Sequence, residues 1–446
     1  MPTENALVPH CRPWLDRRVF GSRAPRFLPA KPTVGPKASA AALAVCATLA
    51  AACSTTSAQP HAPSPAHSAA QPPAYSTSIP TATAETVAAR GTVVSSSTTT
   101  PFDPALFPAG TTAATVVYNS VSGVDGSPTQ VSGTVFVPDG PAPVGGRPIV
   151  AYAHGTVGIS PGCAPSEKRD LAGDADVVSR FLERGYAVAY TDYQGLSSTV
   201  DSPPHPYLEP RTAAFDVIDS VRAARNLDPR LSTRWVAVGW SQGGQAAWAA
   251  NEFDDVYGDG LDLRGAAVLS PALDISPGII EAQSSGTSGE ADGQRAVYPL
   301  IVEGAARVDP SIDPADHLHG ALAGNLDQLV GCNAASSEAQ AAAAADVQPG
   351  DTTASTPAAA EQLTRRMQEY SLPRAASPAP ILAVYGSEDT VVKPAWTESA
   401  LGRACSLGDT LLAVRLEGQG HDVDPGTLVE TWVDDRFTGG PAPSNC

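Results

Sequence analysis

From Arg234 to Phe253 the chain passes from one kind of backbone pattern to another around a single serine. An apolar run, Arg234-Trp235-Val236-Ala237-Val238, leads into Gly239-Trp240-Ser241-Gln242-Gly243-Gly244 and then into Gln245-Ala246-Ala247-Trp248-Ala249-Ala250-Asn251-Glu252-Phe253. The first run reads as a buried strand and the last as a helix, so Ser241 occupies a tight strand-to-helix turn. Large flanking side chains do not fit such a turn, which accounts for glycine on either side. The turn aims the serine Oγ above the sheet edge, at the positive end of a helix, and makes Ser241 a candidate nucleophile. A Gly-Ser turn that matches by chance is the competing reading; the flanking strand and helix weigh against it.

A serine hydroxyl is a poor nucleophile at neutral pH and needs a base, itself oriented by a third group. In a sheet of this type the acid and then the histidine follow the serine along the chain. Pro380 to Gly386 reads as a second buried strand, and Asp389 lies just past its end, with Glu388 as a rival carboxylate. Leu411 to Leu416 reads as one more strand, leading through Glu417-Gly418-Gln419-Gly420 to His421. Taken singly, such an Asp is as often a turn or helix cap, and a loop His is usually a surface residue. Elimination favours His421. His10, His61 and His67 lie in segments not expected to fold, His154 precedes the serine, and His205, His317 and His319 follow no comparable strand.

Acyl transfer also builds negative charge on a carbonyl oxygen, which preorganised N–H groups stabilise. The Gln242 N–H is one expected donor. The second is expected from the loop after Pro148 to Ala153: the Thr156 N–H, with Gly155 as the alternative and His154 as a residue that shapes the loop.

The termini read differently. Residues 1–53 carry seven basic residues against Glu4 and Asp16, and end in an alanine-rich run, Ala38 to Ala52, too short to span a bilayer. This pattern predicts a signal segment and export. Two processing routes stay open: lipidation at Cys53, making a membrane tether, or ordinary cleavage and free secretion. Residues 54–91, rich in Ser, Thr, Ala and Pro, read as a disordered linker. Without residues 1–53, the chain keeps 21 of its 28 Lys and Arg and 44 of its 46 Asp and Glu, a net charge of −23. That balance excludes a nucleic-acid partner, which needs basic patches. Four of the seven cysteines then remain, Cys163, Cys332, Cys405 and Cys446. Three pairings exist. Cys163–Cys332 with Cys405–Cys446 is the expected one, tying the oxyanion loop to the insertion described next and the C-terminal end to the last subdomain. No two of the four have metal-ligand spacing, and no metal is expected.

Strand-like runs near 113–119, 130–137, 148–153, 187–192, 235–239, 265–270, 380–386 and 411–416 alternate with helical patterns. This predicts an α/β-hydrolase fold: an eight-stranded, mostly parallel sheet covered on both faces, forming a catalytic domain over 92–446. About 105 residues between the sixth and seventh strands, at 274–379, break the alternation and read as a helical cap over the nucleophile.

Several segments together resemble the secretory lipase family. They are His154-Gly155-Thr156-Val157-Gly158 with Cys163-Ala164-Pro165-Ser166 beyond it, Thr191-Asp192-Tyr193-Gln194-Gly195-Leu196, His205-Pro206-Tyr207-Leu208, Gly239 to Gly244, Tyr385 to Asp389, and Gly420-His421. The resemblance covers roughly residues 95–446. It implies a serine hydrolase of lipid or other hydrophobic esters with a helical cap and no cofactor, and it supports the cysteine pairing above. Asp192 and Tyr193 read better as a structural turn network than as catalytic groups. The rival functions are an amidase or peptidase on the same scaffold, separated by comparing ester and amide turnover, and an inactive binding protein, separated by a fluorophosphonate probe at Ser241.

Overall fold

The computed structural model describes residues 79–284, 292–332, 338–348 and 350–446. The expected signal segment with Cys53, and the linker up to residue 78, lie outside the described residues.

Nine strands form one sheet: β1 (Val93–Ser97), β2 (Thr112–Val121), β3 (Pro128–Val137), β4 (Arg147–Ala153), β5 (Ala187–Thr191), β6 (Leu231–Trp240), β7 (Asp262–Leu269), β8 (Ile381–Gly386) and β9 (Leu411–Leu416). Their spatial order is β1-β2-β3-β5-β4-β6-β7-β8-β9. The pairs among β1, β2, β3 and β5 are antiparallel, and those from β5 through β4 to β9 are parallel. β4, β5 and β8 are buried along their whole length, as continuous apolar runs covered on both faces should be.

Alternate β4 residues enter opposite cores. Ile149, Ala151 and Ala153 pack with the helices Pro210–Leu227, Gln242–Glu252 and Pro394–Leu407. Val150 and Tyr152 pack with the helices Ala175–Glu183 and Leu428–Thr438. A third core belongs to the insertion between β7 and β8, whose main helices are Ser276–Ser284, Asp292–Val308, Glu338–Ala345 and Pro357–Tyr370. Tyr207, Leu208, Val392 and Trp396 join this core from the hydrolase body, so the insertion seats directly on it. Among the described residues, no helix is long and apolar enough to cross a membrane.

The sheet has nine strands rather than the eight expected. The addition is β1, a Val-Val-Ser-Ser-Ser edge strand with four exposed residues. Its serine content resembles the linker, because an edge strand with one exposed face needs little apolar side chain. Helix Ala84–Ala89 also falls inside the stretch expected as linker. It is N-capped by the Thr83 hydroxyl, and the chain after it is anchored by Arg90, which donates to the Tyr257 carbonyl at 3.0 Å and stacks 4.4 Å over its ring. The folded body therefore starts upstream of residue 92.

Both disulfides form as expected, Cys163–Cys332 and Cys405–Cys446. The second holds the C-terminal segment along β9. There the Asn445 N–H donates to the Leu411 carbonyl at 2.9 Å, and the Asn445 side-chain amide exchanges two 2.8 Å bonds with the Ala413 backbone.

Candidate active site

β6 ends at Trp240, and the next helix starts at Gln242, leaving Ser241 alone in the turn with φ 56° and ψ −116°. A non-glycine residue held there costs about 1–3 kcal/mol, which the surrounding packing must offset. The packing is tight enough. A Cβ on Gly243 would sit 1.9 Å from the Ala153 carbonyl oxygen, and one on Gly239 2.0 Å from that of Gly243. These close approaches are the reason for glycine at both positions.

The loops after β8 and β9 bring the other two residues to Ser241. His421 Nε2 lies 2.9 Å from Ser241 Oγ, and His421 Nδ1 lies 2.8 Å from Asp389 Oδ2. The other Asp389 oxygen accepts the backbone N–H groups of Val391 and Val392, at 2.8 and 2.9 Å. Both carboxylate oxygens are therefore committed, and the side chain is only 1% exposed. The His421 carbonyl accepts from Trp240 Nε1 at 3.1 Å and Ser270 Oγ at 2.7 Å, which pins the histidine loop to the elbow. The rival carboxylate, Glu388, is exposed, and its backbone N–H donates to the Gln419 carbonyl.

The backbone N–H groups of Gln242 and Thr156 donate to no acceptor among the described residues. The loop carrying Thr156 passes under Trp240, where a Cβ on Gly155 would meet the indole at 2.4 Å. His154 is fully buried. Its Nδ1 lies 2.6 Å from the Gly155 carbonyl, and burial lowers its pKa to about 4, so it is a neutral loop-shaping residue. Asp192 is a brace beneath that loop. It accepts from Ser132 Oγ at 2.6 Å and from Ser166 N at 2.8 Å, while burial raises its pKa to about 6. Two contacts carried no signal in composition or spacing: Gln242 Nε2 lies 3.0 Å from His205 Nε2, and Tyr207 OH 2.7 Å from Thr156 Oγ1.

Ser241 lines a pocket between the hydrolase body and the cap, partly open to solvent and walled largely by apolar and aromatic side chains including Tyr207, Ile279, Ala282, Tyr298 and Trp396. Such a space suits the hydrophobic part of a ligand. Among the described residues, no group of three His, Cys, Asp or Glu side chains could hold a metal ion.

Solved structures of similar fold include Candida antarctica lipase A in its closed state. It is 16% identical, with 80% of this chain and 86% of that one covered at a TM-score of 0.62. The rice cell wall degrading esterase LipA from Xanthomonas oryzae is 21% identical, with 78% and 98% covered at 0.60. A putative hydrolase from Legionella pneumophila is 18% identical, with 78% and 97% covered at 0.63. No curated protein matches the sequence. The model of the secretory lipase family matches residues 169–445, well over half the chain. The chain belongs to the secretory lipase family and is a carboxylic ester hydrolase of α/β-hydrolase fold.

Proposed function

We propose that Ser241, His421 and Asp389 form the catalytic triad of an exported esterase acting on lipid or other hydrophobic esters. The observation that carries this reading is the unbroken run Asp389 Oδ2, His421 Nδ1, His421 Nε2, Ser241 Oγ, with contacts of 2.8 and 2.9 Å. His421 takes the Ser241 proton as Oγ attacks the ester carbonyl, and Asp389 stabilises the imidazolium. The N–H groups of Thr156 and Gln242 receive the oxyanion, each donor being worth about 2.7–4 kcal/mol in the transition state. His421 then protonates the leaving alcohol, and water repeats the sequence on the acyl-enzyme. The acyl chain occupies the cavity under the cap.

Export rests on the basic start and apolar run of residues 1–53, with Cys53 as lipid acceptor or the chain released by cleavage, and residues 54–78 as a tether. Two disulfides support an oxidising compartment. The test is Ser241→Ala. It should abolish p-nitrophenyl ester hydrolysis and fluorophosphonate labelling while leaving the melting temperature of the fold within a few degrees; activity near wild type would refute the nucleophile.

A further inference from the structure

One short segment touches both residues whose N–H groups face the oxyanion. His205 reaches Gln242 and Tyr207 reaches Thr156, although these two lie 86 positions apart and come from different strands. We propose that His205 and Tyr207 are positioning residues that clamp the two oxyanion donors in register and connect them to the cap. The proposal rests on the acyl-transfer reading above.

The hydrogen positions follow from the partners. His205 Nδ1 lies 2.9 Å from the Gln194 carbonyl, which can only accept, so Nδ1 carries the proton. Nε2 is then a bare acceptor, and Gln242 must present its NH₂ group to it. Burial keeps this ring neutral, lowering its pKa to about 3, so the polarity of the bond is constant across neutral pH. The Gln242 side chain is thereby fixed at the first helical residue after Ser241.

The Thr156 loop needs an anchor of its own. The backbone N–H groups of Gly155, Thr156, Val157 and Gly158 donate to nothing among the described residues. The peptide unit that carries the Thr156 N–H is held at its Gly155 carbonyl by His154 Nδ1 at 2.6 Å, and the Thr156 side chain by the bond from Oγ1 to the buried Tyr207 hydroxyl, so the direction of the N–H rests on both bonds.

The clamp is also held from above. Gly304, on the cap helix Asp292–Val308, lies so near Tyr207 that a Cβ there would be 2.6 Å from the Tyr207 Cβ. Arg307, one turn on, donates from Nη1 to the carbonyls of Ile159 at 2.5 Å and His205 at 3.3 Å. Tyr207 lines the same cavity as Ser241. An acyl chain in that cavity therefore presses on one of the two side chains that hold the Thr156 amide.

An oxyanion exists only in the transition state and intermediate, so loosening the clamp should lower kcat and leave KM nearly unchanged. Tyr207→Phe keeps the ring and deletes one hydroxyl; His205→Leu removes the acceptor; His205→Gln can restore both an acceptor for Gln242 and a donor for Gln194. The first two should reduce kcat about tenfold or more, the scale of a sub-ångström to ångström misplacement. The Ki of a trifluoromethyl ketone, whose serine adduct carries the same oxyanion, should rise by the same factor. His205→Gln should recover most of the loss.

Unchanged kcat and Ki in Tyr207→Phe overturn the clamp, as does a loss confined to KM. Tyr207→Phe is isosteric, so the test stands even where His205→Leu fails to fold. Wild-type protein unlabelled at Ser241 by fluorophosphonate overturns the acyl-transfer reading and the clamp with it; labelled wild type with unaffected variants overturns the clamp alone.

Discussion

Asp389→Asn is the sharpest test of the triad, because the surroundings dictate how the new amide must sit. One carboxylate oxygen of Asp389 receives two backbone N–H groups, from Val391 and Val392. In the variant the amide oxygen has to take that place, since an NH₂ group there would face two donors. The NH₂ group then falls where Oδ2 lies, 2.8 Å from His421 Nδ1, and donates to it. His421 must accept at Nδ1 and carry its proton on Nε2, the nitrogen 2.9 Å from Ser241 Oγ. An imidazole with a proton on that side cannot accept one from the serine. A wrong tautomer of this kind costs about 10⁴ in kcat, or about 5.5 kcal/mol of activation free energy. The fold should be spared, because both backbone N–H groups keep an acceptor. The assay is steady-state hydrolysis of a soluble p-nitrophenyl ester beside a thermal melt: kcat should collapse, with KM within a few-fold and an unchanged melt. A variant retaining more than a tenth of wild-type kcat refutes the argument that Asp389 fixes the tautomer.

The two disulfides close loops of unequal length, with separations of 169 and 41 residues. Chain entropy then assigns upper bounds of about 5 kcal/mol to Cys163–Cys332 and about 4 kcal/mol to Cys405–Cys446. Urea melts of the paired Cys→Ser variants should rank in that order, and the opposite order would reject the entropic account. The buried carboxyl groups should also pull stability down as pH rises from about 5 to 7, against the buried neutral His154 and His205, whose lowered pKa values pull it up over the same range. Burial raises the pKa of Asp174, Asp192 and Asp219 to about 6 and of Glu252 to about 7, so the folded state keeps protons that the unfolded chain has released. The stabilisation is complete below the ordinary carboxylate range, is lost through the raised pKa values, and for Glu252 amounts to about 3 kcal/mol. Calorimetry at pH 5, 6 and 7 should show the melting temperature of the wild type falling relative to that of Glu252→Gln; a relative rise would contradict the burial argument for Glu252.

Much of the site was legible because each of its parts hangs on a strand end. Ser241, Asp389 and His421 each follow a parallel strand that reads as an apolar run, largely buried before Ser241 and Asp389 and half-exposed at the sheet edge before His421. The crowded glycines around Ser241 mark the turn in the same local way. What escaped depends on contacts between distant segments. β1 is serine-rich and pairs on one side alone, so composition placed it at the border of the linker. Helix Ala84–Ala89 is held by Thr83 and by docking of Arg90, neither of which has a periodic signature in six residues. His205 and Tyr207 were visible only as part of a family-like run; their reach to Gln242 and Thr156 comes from how the chain after Gln194 folds back over the elbow. Asp192 lies at a strand end like Asp389, yet its oxygens are taken up by Ser132 and Ser166, which only the packed structure reveals.

The C-terminal segment has a consequence for how this protein behaves in company. β9 is the last strand of the sheet, and its outer backbone groups would otherwise invite a strand from a neighbouring molecule. Asn445 answers that invitation from within: its side-chain amide imitates a strand partner at Ala413, and Cys446 locks the imitation to Cys405. Oxidative maturation thus does more than strengthen the fold. It covers the outer edge of β9 at Leu411 and Ala413 against pairing with a strand from another molecule.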